Sequence, residues 1–109
     1  MKVNELIEKF NLQSVCLPEP SREIKGAYIG DLLSWVMGRA KADDAWITIM
    51  SNRNILAVAS LSDVSCIILA EGVTLEEDII ETAREKGINI LRGEETAFSI
   101  AAKLASELI

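Results

Sequence analysis

Apolar positions along the chain change their period several times, and each change marks an element. Val3, Leu6, Ile7 and Phe10 recur at helical spacing, which predicts a short amphipathic helix ending near Asn11. Ser14 to Leu17 reads as a strand, stopped by Pro18 and Pro20 because proline offers no amide to a central ladder. A polar connector over Ser21 to Glu23 leads into a short extended segment from Ile24 to Ile29. From Asp31 the period becomes helical, with Leu32, Leu33, Val36 and Ala40 on one face and Gly38 weakening the last turn. Asp31 stands where its carboxylate would cap that helix. Asp44 to Met50 is rich in β-formers and predicts a strand, and Ser51 to Asn54 is a polar turn in which Asn52 or Asn54 would cap a helix starting there.

The next segment, Ile55 to Leu61, fits a helix and a strand almost equally. As a helix it would bury Ile55, Val58, Ala59 and Ser60. Its surroundings favour the helix: Cys66 to Leu69 is a continuous apolar run of the kind found in buried parallel strands, which need a crossover before them. Ala70 to Val73 is a turn, and Thr74 with Glu77 has the spacing of a capping box. The helix it would open buries Leu75, Ile79, Ile80 and Ala83, carries Arg84 and Lys86 near its C-terminus, and stops at Gly87. Ile88 to Leu91 is a short strand. Arg92 to Glu95 then turns into a final helix striped by Ala97, Ile100, Ala101, Leu104, Ala105 and Leu108. This alternation predicts an α/β fold: one compact domain over residues 1–109, with a mostly parallel sheet and helices on both faces.

Composition narrows the function classes. The chain has 109 residues, half of them hydrophobic and 26% charged, which suits one soluble globular domain. Eleven basic residues against seventeen acidic ones give a formal charge of −6, which repels phosphate backbones and argues against nucleic-acid binding. Apolar runs are short and broken by charge, and Glu5, Glu8 and Lys9 occupy the place of a signal peptide's apolar core. The expectation is a cytoplasmic protein with no membrane segment. Histidine is absent, which removes the commonest metal ligand and every histidine-based triad or dyad. Cys16 and Cys66 sit in apolar strands without a CxxC spacing, so they read as small hydrophobes and not as a redox pair.

In an open parallel sheet, ligands bind beyond the carboxyl ends of the strands. The loops there are Gly26 to Asp31, Ser51 to Asn54, Ala70 to Thr74 and Arg92 to Thr96. Asp31, Asn52, Arg53, Asn54, Glu71, Thr74 and Thr96 could hydrogen-bond a small polar ligand, and Arg92, Glu94 and Glu95 join them. The competing reading makes them turn residues, caps and a surface ion pair. Gly26-x-x-x-Gly30 resembles part of a phosphate loop but lacks its Lys-Ser/Thr ending; the glycines also suit close backbone packing. Glu77, Glu81 and Glu85 lie on an outer helical face, where general acid–base roles are not expected. Trp46 reads as core. Trp35, flanked by Met37, falls at the edge of its helix's buried stripe, and an exposed aromatic patch there would suggest a subunit or domain contact.

The run Lys25-Gly26-Ala27-Tyr28-Ile29-Gly30-Asp31-Leu32-Leu33-Ser34, followed by Trp46-Ile47-Thr48, Asn54 to Ala59, Cys66 to Gly72, Glu85 to Leu91 and Glu95-Thr96-Ala97, resembles the DRTGG domain over nearly the whole chain. Asp31, Thr48 and Gly72 match the family's named positions, with Arg53 as the candidate arginine. The second glycine of its final pair is replaced by Glu71, which weakens transfer of a binding role to the 70–74 loop. Members occur beside CBS domains in inorganic pyrophosphatases, within phosphate acetyltransferases, and as small free-standing proteins. They resemble the N-terminal domain of HPr kinase/phosphorylase without its kinase motif. The resemblance implies a non-enzymatic regulatory or interaction domain: a homodimer with a possible partner protein or a small polar or nucleotide-like ligand, and with no cofactor. Its candidate ligand set is Gly26, Gly30, Asp31, Thr48, Asn52, Arg53, Asn54, Glu71, Gly72 and Thr96. Two alternatives stand beside it: a purely structural assembly module, and a small enzyme using Asp31 or Glu71.

Overall fold

The computed structural model describes residues 1–109. Its elements run α1 (Val3–Phe10), β1 (Gln13–Cys16), β2 (Gly26–Ile29), α2 (Leu33–Arg39), β3 (Asp44–Thr48), α3 (Asn54–Ser62), β4 (Cys66–Leu69), α4 (Glu77–Lys86), β5 (Ile90–Arg92) and α5 (Ala97–Leu108). The strands form one five-stranded sheet in the order β1-β5-β4-β3-β2. Strands β2 to β5 are mutually parallel, and β1 joins β5 antiparallel at the far edge. Each parallel step passes through one helix, as neighbours pointing the same way require.

Alternation of side chains divides the core between the two faces of the sheet. Trp46, Ile67, Leu69 and Ile90 pack with Val36 of α2, Ile55 and Val58 of α3, and Ile79 and Ala83 of α4. Ala45, Ile47, Cys66, Ile68 and Leu91 pack with Val3 and Leu6 of α1 and with Ile100 and Leu104 of α5. Both faces are covered, which is why every residue of β3 and β4 is buried and β4 reads as a continuous apolar run. Cys16 and Cys66 belong to opposite faces, so no disulfide can join them.

Residues 55–61 are helical, as the need for a crossover dictates, although the inner side is Ile55, Leu56, Val58 and Ala59 and Ser60 is exposed. Two caps differ from expectation. Helix α2 starts only at Leu33, after an extended Leu32 with no side-chain cap; Asp31 therefore lies one residue too early, and Leu32 is exposed instead of joining the buried stripe. Helix α4 starts at Glu77 with no side-chain cap, and Thr74 is exposed outside it. Val73 and Leu75 pack on the core and hold the intervening chain extended, while Glu77 and Asp78 supply the negative charge favoured at a helix start. Strand β3 ends at Thr48 and not at Met50, because the chain turns there to meet Asp31. No helix is long and apolar enough to cross a membrane.

Candidate functional site

The parallel strands bring Asp31, the segment after Thr48, the Glu71–Gly72 turn and the Arg92–Thr96 segment to one end of the sheet. Two contacts tie these loops together. At β2 and β3, Asp31 Oδ1 accepts hydrogen bonds from Thr48 Oγ1 at 2.8 Å and from the Ile49 amide at 2.9 Å. Thr48 Oγ1 in turn accepts from the Met50 amide at 3.2 Å. Nearby, the buried Trp46 indole donates to the Gly30 carbonyl at 2.9 Å, and a Cβ on Gly30 would sit 2.9 Å from the Tyr28 ring. A side chain on Gly30 would therefore have to push the Tyr28 ring aside. Gly26 is similar in kind: a Cβ there would meet Asp44 Oδ1 at 2.7 Å, and that carboxylate caps the Lys41 amide at 2.8 Å.

At β4 and β5, the chain makes a tight turn in which Val73 N–H returns to the Ala70 carbonyl at 3.2 Å. Both central residues are left-handed, with φ 57° at Glu71 and 71° at Gly72. Arg92 clamps this turn: its Nη2 donates to the Gly72 carbonyl at 2.8 Å and its Nε to the Val73 carbonyl at 3.0 Å. The same guanidinium reaches Gln13 on β1 and pairs with Glu94 at 3.3 Å. The arginine that organises this end is therefore Arg92; Arg53 points to α4, where it binds Asp78 and donates to Thr82 Oγ1 at 3.0 Å.

The remaining candidates serve local geometry. Asn52 Oδ1 accepts from the Asn54 amide at 2.9 Å, an Asx turn that starts α3. Thr96 caps α5 through the Ser99 amide at 3.1 Å. Asp31 and Glu71 are both exposed, not enclosed in the closed pocket that an enzymatic role would need.

None of the four surface recesses is lined by Asp31, Thr48, Glu71 or Gly72. Arg53 and Asn54 border a recess of about 320 Å³ between α3 and α4. The largest, about 520 Å³, lies between the end of α1 and α5, with Lys9, Phe10, Glu95 and Lys103 among its walls. Sequence periodicity held no hint of it, because those residues belong to elements far apart in the chain. No cluster of acidic or cysteine side chains is placed to hold a metal. Burial pushes the Cys16 thiol up against the pull of Arg84, and pushes the Cys66 thiol up to about 12, so neither supplies a thiolate nucleophile near neutrality.

Residues 19–106 match the DRTGG domain family. The chain belongs to that family. Among solved structures, it is similar to the CBS and DRTGG domains of the regulatory region of Clostridium perfringens pyrophosphatase, determined with the activator diadenosine tetraphosphate. That likeness covers 92% of this chain and 44% of the other, with a TM-score of 0.72 and 16% identity, and it shows the fold. No curated protein gives a sequence match. In this DRTGG domain, Asp31 and Thr48 bond to each other and Gly72 is held by Arg92, so the positions that carry the family resemblance build the frame at the carboxyl end of the sheet. The matched region begins at Glu19, after β1; yet β1 supplies an edge of the sheet through Gln13↔Arg92 and Ser14↔Leu91.

Proposed function

We propose that this DRTGG domain is a non-catalytic regulatory module that works by protein contact at the corner formed by β2, α2 and the start of the β3–α3 loop. One observation carries the reading. Leu32 is 61% exposed, Trp35 52% and Ile49 44%, large apolar side chains on segments adjacent to Asp31. Isolated exposed apolar residues are ordinary, but a grouping of this kind marks an interaction surface. Arg39 lies 3.7 Å over the Trp35 ring, and Trp and Arg are the residue types that anchor such surfaces. Two of the loops expected to hold a small polar ligand are instead tied by hydrogen bonds within the chain. A photo-cross-linking amino acid in place of Trp35 tests the reading in cell extract, with the exposed Glu8 of α1 as the control position. A discrete protein adduct, to another copy or to a different protein, is expected at 35 and not at 8; no adduct at 35 would refute it.

A ligand-sensing reading is favoured by the recess beside α1 and α5. Lys9 and Lys103 line it together with Glu94 and Glu95, and Phe10 adds an aromatic surface; Lys9 pairs with Glu107 and Lys103 with Glu95, so a nucleotide's phosphates would take these lysines over from their carboxylates while its base stacks on Phe10. The related pyrophosphatase regulatory region was solved with diadenosine tetraphosphate, which makes that molecule and ATP the first probes. A ligand at a hundred times its Kd stabilises by about 2.7 kcal/mol, so a rise in Tm that disappears in Lys103→Ala is expected, and an unchanged Tm would remove this reading. The domain unit is taken as residues 1–109, with α1 and β1 included because β1 completes the sheet.

A further inference from the structure

The two edges of the sheet are treated differently. Strand β1 carries features that discourage pairing: a bulge between Ser14 and Cys16, exposed Gln13 and Ser14, and Pro18 and Pro20 just beyond. Strand β2, Gly26-Ala27-Tyr28-Ile29, has none. Its register on β3 is unbroken from Gly26↔Asp44 to Ile29↔Ile47, and it contains neither charge nor proline. The Gly30 amide donates to the Ile47 carbonyl at 3.2 Å. Alternate residues of a parallel strand face the same neighbour, so the peptide groups of Ala27 and Ile29 point outward, away from β3.

The layers above and below β2 are also left apolar at this edge. Helix α2, on one face, exposes Leu32 and Trp35. On the other face, Ala27, Ile29, Ala101, Ala105, Leu108 and Ile109 line a mostly apolar groove of about 320 Å³ between β2 and α5, with Lys25 the one charged residue in its lining. An apolar margin repeated in helix, sheet and helix layers fits a partner with the same layers in the same order.

We propose that this partner is a second copy of the chain, joined edge to edge through antiparallel β2 strands about a dyad at Tyr28. This deepens the contact reading and rests on it. With the dyad at Tyr28, Ala27 of one copy lies opposite Ile29 of the other, and Gly26 lies opposite Gly30. Lys25, 73% exposed at its side chain and paired with Asp43 at 3.6 Å, falls opposite Asp31, whose Thr48 and Ile49 bonds both go to Oδ1, so the lysine would exchange Asp43 for Oδ2 of the other copy's Asp31. The outward amides and carbonyls of Ala27 and Ile29 then bond in pairs, which makes Tyr28 and its copy a non-hydrogen-bonded pair with Cα atoms about 4.5 Å apart. The two α5 grooves are brought together on one face and the two α2 margins on the other.

Sedimentation velocity over a range of concentrations tests the pairing, with circular dichroism confirming that each variant is folded. The unaltered chain is expected to dimerise. Ala27→Pro removes an outward amide while leaving the β2–β3 ladder intact, and Ile29→Lys puts charge into the margin; each is expected to weaken the dimer roughly tenfold or more. Under mild oxidation, Tyr28→Cys is expected to form a covalent dimer and Ala27→Cys is not, because only residue 28 meets its own copy. A monomer at all concentrations overturns the proposal. So does a dimer that tolerates Ala27→Pro and Ile29→Lys, or one that cross-links through position 27 and not 28. An adduct from position 35 to a different protein, with a monomeric chain, overturns this pairing while leaving the contact reading standing; no adduct at 35 combined with a β2-dependent dimer does the reverse.

Discussion

Glu71→Gly and Gly72→Ala act on one turn with opposite signs. Both residues are left-handed, at φ 57° and 71°. A side chain bearing a Cβ costs roughly 1–2 kcal/mol in that region, whereas glycine costs about 0.5–1 kcal/mol through the greater freedom of its unfolded chain. Glu71→Gly removes the first term and adds the second, a net stabilisation of about 0.5–1 kcal/mol. The Glu71 side chain is exposed, so little packing is lost. Gly72→Ala reverses the exchange. Its new Cβ would press on the Glu94 carboxylate, an exposed and flexible group that can move aside, so the expected destabilisation stays near the same size, about 0.5–1 kcal/mol. Urea unfolding followed by circular dichroism reads both effects. With m near ~1.5 kcal/mol/M, the midpoint is expected to rise by about 0.3–0.7 M in Glu71→Gly and to fall by a similar amount in Gly72→Ala. A lower midpoint for Glu71→Gly at unchanged m would refute this reasoning, because it would mean that the glutamate side chain contributes more than its backbone conformation costs.

The Asp31–Thr48 contact is tested by a double-mutant cycle: Thr48→Val and Asp31→Ala are each expected to cost about 1–2 kcal/mol, with a coupling of about 1 kcal/mol between them. Additive losses in urea unfolding would show that the two residues do not act together. Cys66 gives a pH effect. Its folded thiol is pushed up to about 12 from an ordinary 9.0, so the stability it contributes is complete below pH 9 and is lost as pH rises from 9 towards 12, where the unfolded chain ionises first. The slope is about 1.4 kcal/mol per pH unit for a single group. Stability measured from pH 8.5 to 10.5 is therefore expected to fall less steeply in Cys66→Ala than in the unaltered chain, and parallel curves would contradict the shift.

The main architecture was legible because hydrophobic period is a local signal. Cys66 to Leu69 could be read as a buried strand without knowing its neighbours, and that strand in turn settled the helix at 55–61. The helix starts were less legible. Asp31 and Thr74 both have capping side chains in suitable places, but a cap depends on where the backbone becomes helical, and that was set by distant packing: Val73 and Leu75 on the core, and the Asp31 carboxylate on Thr48. The candidate site divides in the same way. Sequence reasoning located the loops at the carboxyl end of the sheet, since parallel topology places them there. It could not show that their polar groups bind one another, nor that Arg92 and not Arg53 would hold the turn, because those contacts join strands separated by many residues. The recess between α1 and α5 carried no periodic signal at all.

The closure of the carboxyl end bears directly on how such a domain can regulate. A loop cluster that recognises a ligand at a strand switch point must present amides or side chains that are free to bind it. Here the Asp31 carboxylate receives two donors, the Thr48 hydroxyl both donates and accepts, and the Gly72 carbonyl is held by Arg92. These contacts lock β2 to β3 and β4 to β5, so the end of the sheet behaves as a stiff frame. A stiff frame keeps whatever is mounted on it in fixed relation. Mounted here is the β2 edge, with α2 on one face and α5 on the other. A substitution that loosens the frame, such as Thr48→Val, which removes the hydroxyl that donates to Asp31, would therefore let the β2 end move relative to β3 and weaken contacts made at that edge without touching any contact residue there. Regulation by this route depends on shape transmitted through the sheet, and it explains how residues that bond to their own chain can form the most recognisable part of it.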